Sequence, residues 1–133
     1  RHRFEPGSPM AAQAIALAEA VNYLESCLEK HDNSLNEYSL EKMKSINGIS
    51  IYGNPPERTP IISFNIEGIH SLDLAHFLDY EGITIRSGHH CCQPLMQALN
   101  ITACARVSFY FYNSVEEVDF LVDKINKAVQ VIK

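Results

Sequence analysis

The residues whose chemistry stands out in this sequence lie in one segment, 86–94, which reads Arg-Ser-Gly-His-His-Cys-Cys-Gln-Pro. Two histidines and two cysteines stand side by side there, after a glycine and before a proline. The other two cysteines, Cys27 and Cys104, stand in apolar stretches, which predicts inert thiols. Histidine and cysteine together serve either as metal ligands or as a reactive thiol with titratable neighbours.

The spacing favours the reactive thiol. Zinc needs four side chains that converge on a tetrahedron, and four consecutive residues cannot all point at one ion. The rest of the chain offers no Cys-x-x-Cys pair, so we expect no metal site. A cysteine becomes nucleophilic where positive charge or a helix N-terminus favours its thiolate. Arg86, His89 and His90 supply such a setting for Cys91, although a purely structural thiol remains the alternative.

Composition restricts the class of protein. The 133 residues are 46% hydrophobic and 20% charged, which indicates an ordered domain with a core. A net charge of -5, with lysines and arginines scattered singly, argues against nucleic-acid and membrane-surface partners. No apolar run reaches the ~20 residues that cross a bilayer. The four cysteines form no spaced framework, which predicts free thiols in a reducing compartment, the cytoplasm or an organelle with a reducing interior.

Five helices and four short strands must position this segment. Ser-Pro and Ser-x-x-Glu start signals and apolar residues at helical spacing predict the helices, with Ser8, Ser34, Ser71 and Ser114 as N-caps. The helices should span 8–30, 34–47, 71–82, 94–99 and 114–132. Alternation and short apolar runs predict strands at 49–52, 62–66, 83–86 and 106–111, with a turn at 87–88.

Interleaved strands and one-sided helices predict an α/β fold, a two-layer α+β sandwich. We expect residues 1–31 to be a connecting helix from a neighbouring domain and residues 32–133 to form the small α/β domain. The first residue is arginine rather than methionine, and the opening is abrupt. We therefore expect a piece of a longer polypeptide.

Segment 86–96 resembles the active-site cysteine loop of group II (SufS-type) cysteine desulfurases. These are fold-type I pyridoxal-phosphate enzymes of the class V aminotransferase family. Segment 3–9 resembles the family's motif at the end of the large domain, and 105–113 and 116–119 resemble its late strand and last helix. The resemblance implies the small C-terminal domain of such an enzyme, a mostly antiparallel short sheet with helices packed on it.

The resemblance implies a role for each matching residue. Cys91 would take the sulfur of L-cysteine as a persulfide, and alanine would leave. Arg106 would bind the substrate carboxylate, since guanidinium pairs bidentately with carboxylate. Arg86 would be a second anion-binding residue near the loop, or would simply anchor the end of its strand. His89 and His90 would tune the thiol or shuttle protons.

The remaining implications concern the cofactor and the partners. Gly7 and Ser8 would help hold the phosphate of pyridoxal 5'-phosphate, while Ser8 could equally be a plain helix cap. The lysine that binds the cofactor covalently would lie in the large domain, outside this chain, so the chain alone should be inactive. The family implies a homodimer and a small sulfur-acceptor protein (SufE/SufU-like) that serves iron–sulfur cluster assembly.

One residue departs from the family pattern, and three alternative functions stay open. Position 92 is cysteine where the family usually has a small residue, so Cys92 is either a second thiol with a role or a harmless substitution. A selenocysteine lyase needs nearly the same site. A class V aminotransferase-like enzyme is disfavoured by the cysteine at position 91. A standalone sulfur-carrier or metal-binding module is disfavoured by the missing initiator methionine.

Overall fold

The computed structural model describes residues 7–28, 34–53, 55 and 58–132. They divide into two units, one that contains the first helix and one that begins after Asp32. The connecting role of residues 1–31 stays a prediction, and residues 1–6 and 29–33 lie outside the described part. Within the described ranges, no helix combines the length and apolar character needed to cross a membrane.

Helix α1 (Ala11–Leu28) begins later than its start signals predict. Its first helical hydrogen bond runs from the Ala14 N–H to the Met10 carbonyl, 3.0 Å. A tight turn precedes it, in which the Ala11 N–H donates to the Pro9 carbonyl at 2.9 Å. Because this turn uses the Pro9 carbonyl, the helix starts after it, and Ser8 is not the N-cap. The predicted end near Lys30 falls outside the described residues.

The second unit is built on a four-stranded antiparallel sheet. Its strands are β1 (Ile49–Tyr52), β2 (Ile61–Ile66), β3 (Arg86–Gly88) and β4 (Cys104–Ser108). They lie in the order β1-β2-β4-β3, and every neighbouring pair is antiparallel. The predicted α/β class with a short antiparallel sheet is therefore confirmed.

Three helices cover one face of this sheet. They are α2 (Ser34–Lys44), α3 (Ser71–Tyr80) and α5 (Val115–Ile132), and α5 packs against both others. The short helix α4 (Gln93–Ala98) follows the cysteine segment, with a proline in its first turn as predicted. This arrangement leaves the second face of the sheet for the segment that carries the cysteines.

The core forms between the sheet and the three helices because both carry matching apolar faces. In β2, Ile62, Phe64 and Ile66 are buried and alternate with less buried residues, which confirms the predicted half-buried strand. In α5 the buried residues recur at helical spacing, and they are Val118, Leu121, Val122, Ile125 and Ala128. Removing water from these faces is the main stabilising term of the unit.

The helix starts were predicted with mixed success. At α5 the capping box is present: the Glu117 N–H donates to Ser114 Oγ at 3.3 Å, and the Ser114 N–H donates to Glu117 Oε2 at 3.0 Å. At α3 the prediction was wrong, because His70 is the N-cap and its Nδ1 accepts the Leu72 N–H at 3.2 Å. Ser71 is instead a buried first residue of the helix. The described part of α2 begins at Ser34, and residues 29–33 before it lie outside the described ranges, so the capping box predicted there stays a prediction.

Two strands are displaced from their predicted positions. The strand predicted at 83–86 is β3 at 86–88, so the turn predicted at Ser87 and Gly88 is wrong. Pairing decides this, since residues 86–88 pair with residues 106–104 of β4. The late strand predicted at 106–111 ends at Ser108. A turn follows it, in which the Asn113 N–H donates to the Tyr110 carbonyl at 2.9 Å.

A core truncation tests this packing. Phe64 is fully buried between the sheet and the helices, so Phe64→Ala should lower the free energy of unfolding by ~3–5 kcal/mol through lost burial and the cavity it leaves. The measurement is urea unfolding followed by circular dichroism. Tyr80→Ala is the matched control, because Tyr80 is 98% exposed and its loss should change stability by less than about 0.5 kcal/mol. Equal effects of the two substitutions would contradict the packing.

Candidate active site

Two arginines lie side by side on the sheet face opposite the core. Arg106 stands between Ala105 and Val107, both buried in the core, so its side chain leaves on the other face. The register pairs Arg106 directly with Arg86 on β3. Like charges opposite each other on one sheet face are destabilising. The pair therefore marks a place where a bound anion would be stabilised.

The same register extends the row across the sheet. Ser63 on β2 pairs with Arg106, and Tyr52 on β1 pairs with Ser63. Tyr52, Ser63, Arg106 and Arg86 thus form one cross-strand row. Sequence reasoning missed Ser63 and Tyr52, because only the strand register, which depends on pairing between distant segments, places them beside the arginines.

The cysteine loop, residues 89–92, runs from β3 to α4 in a strained conformation. His90 and Cys91 have φ values of 54° and 57°, a left-handed region that non-glycine residues rarely adopt. Three hydrogen bonds hold it: Cys92 N–H to His89 O at 2.9 Å, Cys91 N–H to His89 Nδ1 at 3.1 Å, and His90 Nε2 with Cys104 O at 3.1 Å. Strain maintained in this way is concentrated at functional sites.

Cys91 lies at the exposed tip of this loop, with a positive charge beside its sulfur. Its Sγ is 3.8 Å from Arg86 Nη2. The Arg86 guanidinium donates toward this sulfur, and the thiolate is the nucleophilic form of cysteine. The structure therefore joins the exposed thiol and Arg86 in one site.

His90 is held as a neutral imidazole. Burial of the ring lowers the pKa of His90 from its ordinary 6.5, and the charges of Arg106 and Arg86 lower it further against the opposing effect of the Cys104 carbonyl. His89 acts in the same direction as the arginines. Because a neutral imidazole has one N–H, Nε2 donates it to the Cys104 carbonyl. His90 Nδ1 is buried and finds no hydrogen-bond partner in the described part of the chain.

The lowered pKa of His90 predicts a pH dependence of stability. The unfolded chain binds a proton below pH ~6.5 more readily than the folded chain does. The contribution of His90 is therefore fully present above that pH and is lost as the pH falls through the lowered folded-state pKa. His90→Asn keeps a residue that tolerates positive φ and removes the titration.

We expect urea midpoints of the natural chain to fall on acidification more steeply than those of His90→Asn. Each pair of midpoints is measured at the same pH, so that the other histidines contribute equally to both proteins. Parallel pH profiles would contradict the assignment of a neutral, half-buried His90.

A cavity of about 430 Å³ lies next to the loop. The sheet contributes Ser63 and Arg106 to its wall, the loop contributes His90 and Cys92, and α4 contributes Met96 among other apolar residues. Arg106 Nε is buried here and has no hydrogen-bond partner within the described ranges. The cavity thus combines an apolar wall with an unpaired guanidinium donor, a pattern suited to a small molecule with a carboxylate.

The structure brings five of the predicted site residues together in the second unit: Arg86, His89, His90, Cys91 and Arg106. Gly7 and Ser8 belong to the first unit, where Gly7 has a φ of 93° and Ser8 is exposed before α1. The role of Gly7 and Ser8 in binding the phosphate of the cofactor stays a prediction. Among the described residues, no three His, Cys, Asp or Glu side chains are grouped so as to hold a metal ion.

The described lysines lie on the helices that cover the other face of the sheet. Lys42 pairs with Asp119 at 2.7 Å, and Lys124 and Lys127 pair with Glu81 at 3.2 and 2.6 Å. Lys44 is on the exposed surface of α2. None of these four borders the cavity or the cysteine loop.

Comparison with curated proteins gives long matches. The chain is 45% identical over 130 residues to a probable cysteine desulfurase of Staphylococcus aureus (strain COL), a match that covers 94% of this chain and 32% of that protein. A probable cysteine desulfurase of Staphylococcus epidermidis (strain ATCC 12228 / FDA PCI 1200) matches with the same identity and coverage. The chain thus spans about a third of the length of these relatives.

Solved structures share the fold. A cysteine desulfurase from Thermococcus onnurineus NA1, in its apo form, superposes with a TM-score of 0.86 at 34% identity, covering 96% of this chain and 33% of that chain. The cysteine desulfurase CsdA (S-sulfonic acid) from Escherichia coli gives a TM-score of 0.81 at 27% identity, covering 96% of this chain and 32% of that chain.

The family assignment rests on a match to a family model. Residues 1–121 match the family described as Aminotransferase class-V, which is well over half of the chain. This confirms the resemblance predicted from the cysteine loop and the late strand at the level of the family. The chain belongs to the class V aminotransferase family.

Proposed function

We propose that the whole protein that carries this chain is a cysteine desulfurase. It converts L-cysteine to L-alanine and holds the released sulfur on Cys91 as a persulfide. The observation that carries this proposal is the exposed Cys91 Sγ at 3.8 Å from Arg86 Nη2, beside Arg106 and its unpaired Nε. Relatives that bear this name cover 94% of the chain.

Cys91 is the nucleophile of the proposed reaction. Its thiolate attacks the sulfur of the substrate, and an S–S bond forms. The C–S bond of the substrate breaks, and its electron pair stays on the substrate carbon, which takes up a proton so that alanine can leave. Covalent catalysis of this kind divides a difficult step into persulfide formation and later transfer. Arg86 donates toward the sulfur of Cys91 before the attack and can hold the anionic persulfide after it.

Arg106 is the residue that binds the substrate carboxylate. Its guanidinium borders the cavity and offers a buried N–H without a partner. A bidentate carboxylate would use that donor and would relieve the repulsion between Arg106 and Arg86, which pair across the strands. Orientation of the amino acid by this contact brings its sulfur toward the loop.

The two histidines divide their roles. His90 holds the loop to β4 through the Cys104 carbonyl, and its lowered pKa keeps it a neutral positioning residue. His89 is exposed, and its Nδ1 accepts the Cys91 N–H at 3.1 Å. Its Nε2 is left to exchange protons with the solvent or the substrate, so His89 is the better candidate for proton transfer.

Class V aminotransferases use pyridoxal phosphate. When bound, this cofactor supplies an electron sink for the carbons of an amino-acid substrate. The described residues fit the substrate side of such a site, with a carboxylate-binding arginine and a thiol. They do not provide its covalent anchor, because the described lysines lie on α2 and α5. We place the anchoring lysine outside this chain, with Ser8 and Gly7 at the phosphate.

The resemblance of segment 86–96 to group II cysteine desulfurases supports narrower proposals on the branch, the assembly and the sulfur acceptor. We place the protein in the group II branch, as a homodimer that passes its sulfur to a small acceptor protein for iron–sulfur cluster assembly. All four cysteines of the chain are free thiols, which supports a reducing compartment such as the cytoplasm.

Product analysis of the whole protein with its cofactor tests the function. With L-cysteine and a reducing thiol, alanine and sulfide should appear in equal amounts. An oxo acid formed without sulfide would indicate an aminotransferase instead. Turnover of L-selenocysteine with no turnover of L-cysteine would indicate a selenocysteine lyase.

A further inference from the structure

Cys92 gives the loop a second thiol that the proposed reaction does not use. Both neighbouring cysteines are exposed and free, but their surroundings differ. Cys91 Sγ lies beside Arg86, whereas Cys92 borders the cavity together with Arg106. The two thiols therefore have different neighbours, a guanidinium at Cys91 and the cavity wall at Cys92.

The geometry of adjacent residues decides what the two sulfurs can do. Their peptide bond is trans, which sets the Cα atoms ~3.8 Å apart. A disulfide needs Cα atoms at least about 4.4 Å apart, so a direct bond between Cys91 and Cys92 is strained. Passing a single sulfur atom between them is different, because the two Sγ atoms then stand about two S–S bond lengths apart, ~4 Å. Because the Cα atoms of the two neighbours are ~3.8 Å apart, rotation of the two exposed side chains can bring their sulfurs to that separation.

We propose that Cys92 is a second sulfur carrier, which takes the terminal sulfur from a persulfide on Cys91 and holds it at the cavity. The Cys92 thiolate attacks that terminal sulfur and forms an S–S bond with it. The S–S bond to Cys91 Sγ breaks, and its electron pair returns to Cys91 as a thiolate, which takes up the proton that Cys92 released. The exchange needs no oxidant or reductant.

The transfer has a functional consequence. Because one S–S bond replaces another, the sulfur is shared between the two cysteines rather than fixed on either. A transfer to Cys92 frees Cys91 for a second sulfur, so one chain can hold a sulfur on each cysteine. The assumption that L-cysteine is the natural source of the sulfur rests on the proposed function. The transfer between the two cysteines does not depend on that assumption.

The test loads sulfur from two sources onto the whole protein with its cofactor, in the natural form and as Cys92→Ser, Cys91→Ser and Cys27→Ser. One source is L-cysteine without reductant, and the other is inorganic polysulfide, which donates sulfur without any enzymatic step. The thiols are then alkylated, and mass spectrometry of the loop peptide locates each extra sulfur. Cys27→Ser is the matched control, since Cys27 lies on α1 in the other unit.

We expect both sources to label Cys91 and Cys92 in the natural protein and in Cys27→Ser. With L-cysteine, Cys92→Ser should hold about half as much terminal sulfur per chain as the natural protein. Polysulfide also labels exposed thiols directly, so its excess is removed and the label is followed over time: it should pass from Cys91 to Cys92 in the natural protein, while the label on Cys92 of Cys91→Ser stays constant. Label from L-cysteine on Cys91 alone, no redistribution after removal of polysulfide, or a disulfide between the two cysteines with release of sulfide would overturn the proposal. Redistribution of polysulfide label without any label from L-cysteine would instead overturn the proposed function and leave the transfer standing.

Discussion

Replacement of Cys91 with serine is expected to lower sulfide release from L-cysteine by the whole protein by roughly a thousand-fold or more. A serine hydroxyl is not ionised near neutral pH and cannot replace the sulfur nucleophile. Because Cys91 is exposed on its loop, the loss should come from chemistry and not from unfolding. The measurement compares initial rates of sulfide and alanine release with a reducing thiol present.

The control variant Cys27→Ser distinguishes loss of the nucleophile from a general effect of losing a thiol. Cys27→Ser removes a cysteine that lies on α1, away from the loop in sequence and outside the second unit, and it should keep the rate of the natural protein. Urea unfolding of Cys91→Ser should match the natural midpoint. Sulfide release that persists in Cys91→Ser would place the sulfur-accepting group elsewhere.

Removal of the Arg106 side chain is expected to raise KM for L-cysteine about a hundred-fold, which corresponds to ~2.7 kcal/mol. Arg106→Ala leaves the substrate carboxylate without its bidentate partner, and hydrogen bonds between charged groups are the strong ones. If the carboxylate is bound equally before and during the reaction, kcat should change much less than KM. Arg106→Lys keeps the charge but loses the planar guanidinium that makes two parallel hydrogen bonds, so it should recover only part of the affinity.

Arg58→Ala is the matched control for Arg106. Arg58 donates from Nη2 to the Ile61 carbonyl at 3.1 Å and does not border the cavity, so its loss should leave KM unchanged. Stability gives a second readout, because removal of one member of the Arg86–Arg106 pair relieves like-charge repulsion. Arg106→Ala should therefore unfold at a urea concentration no lower than the natural chain does. An unchanged KM would remove Arg106 from substrate binding.

Local signals made much of the fold predictable. Alternation in β2, the apolar repeat of α5 and the Ser114–Glu117 capping box each depend on residues a few positions apart, and each appears as predicted. The start of α3 was misplaced because histidine is an uncommon N-cap, although His70 Nδ1 performs the same function as a serine oxygen.

Pairing between distant segments was not predictable in the same way. The β-branched run Ile83-Thr84-Ile85 indicated a strand, yet β3 begins at Arg86 because β4 offers its partners only to residues 86–88. The juxtaposition of Arg86 and Arg106 follows from that register, as does the place of Ser63 in the same row. Cys91 could be singled out from its neighbours in sequence, but the guanidinium at its sulfur becomes visible only in the folded chain.

The central claim is that Cys91 receives the sulfur of L-cysteine. The most direct test incubates the whole protein as Cys92→Ser, so that the loop peptide contains one cysteine only, with sulfur-labelled L-cysteine in the absence of reductant. Mass spectrometry of the alkylated peptide should show one labelled extra sulfur on Cys91 for each alanine formed in the first turnover. Alanine formed while Cys91 stays unlabelled would contradict the claim.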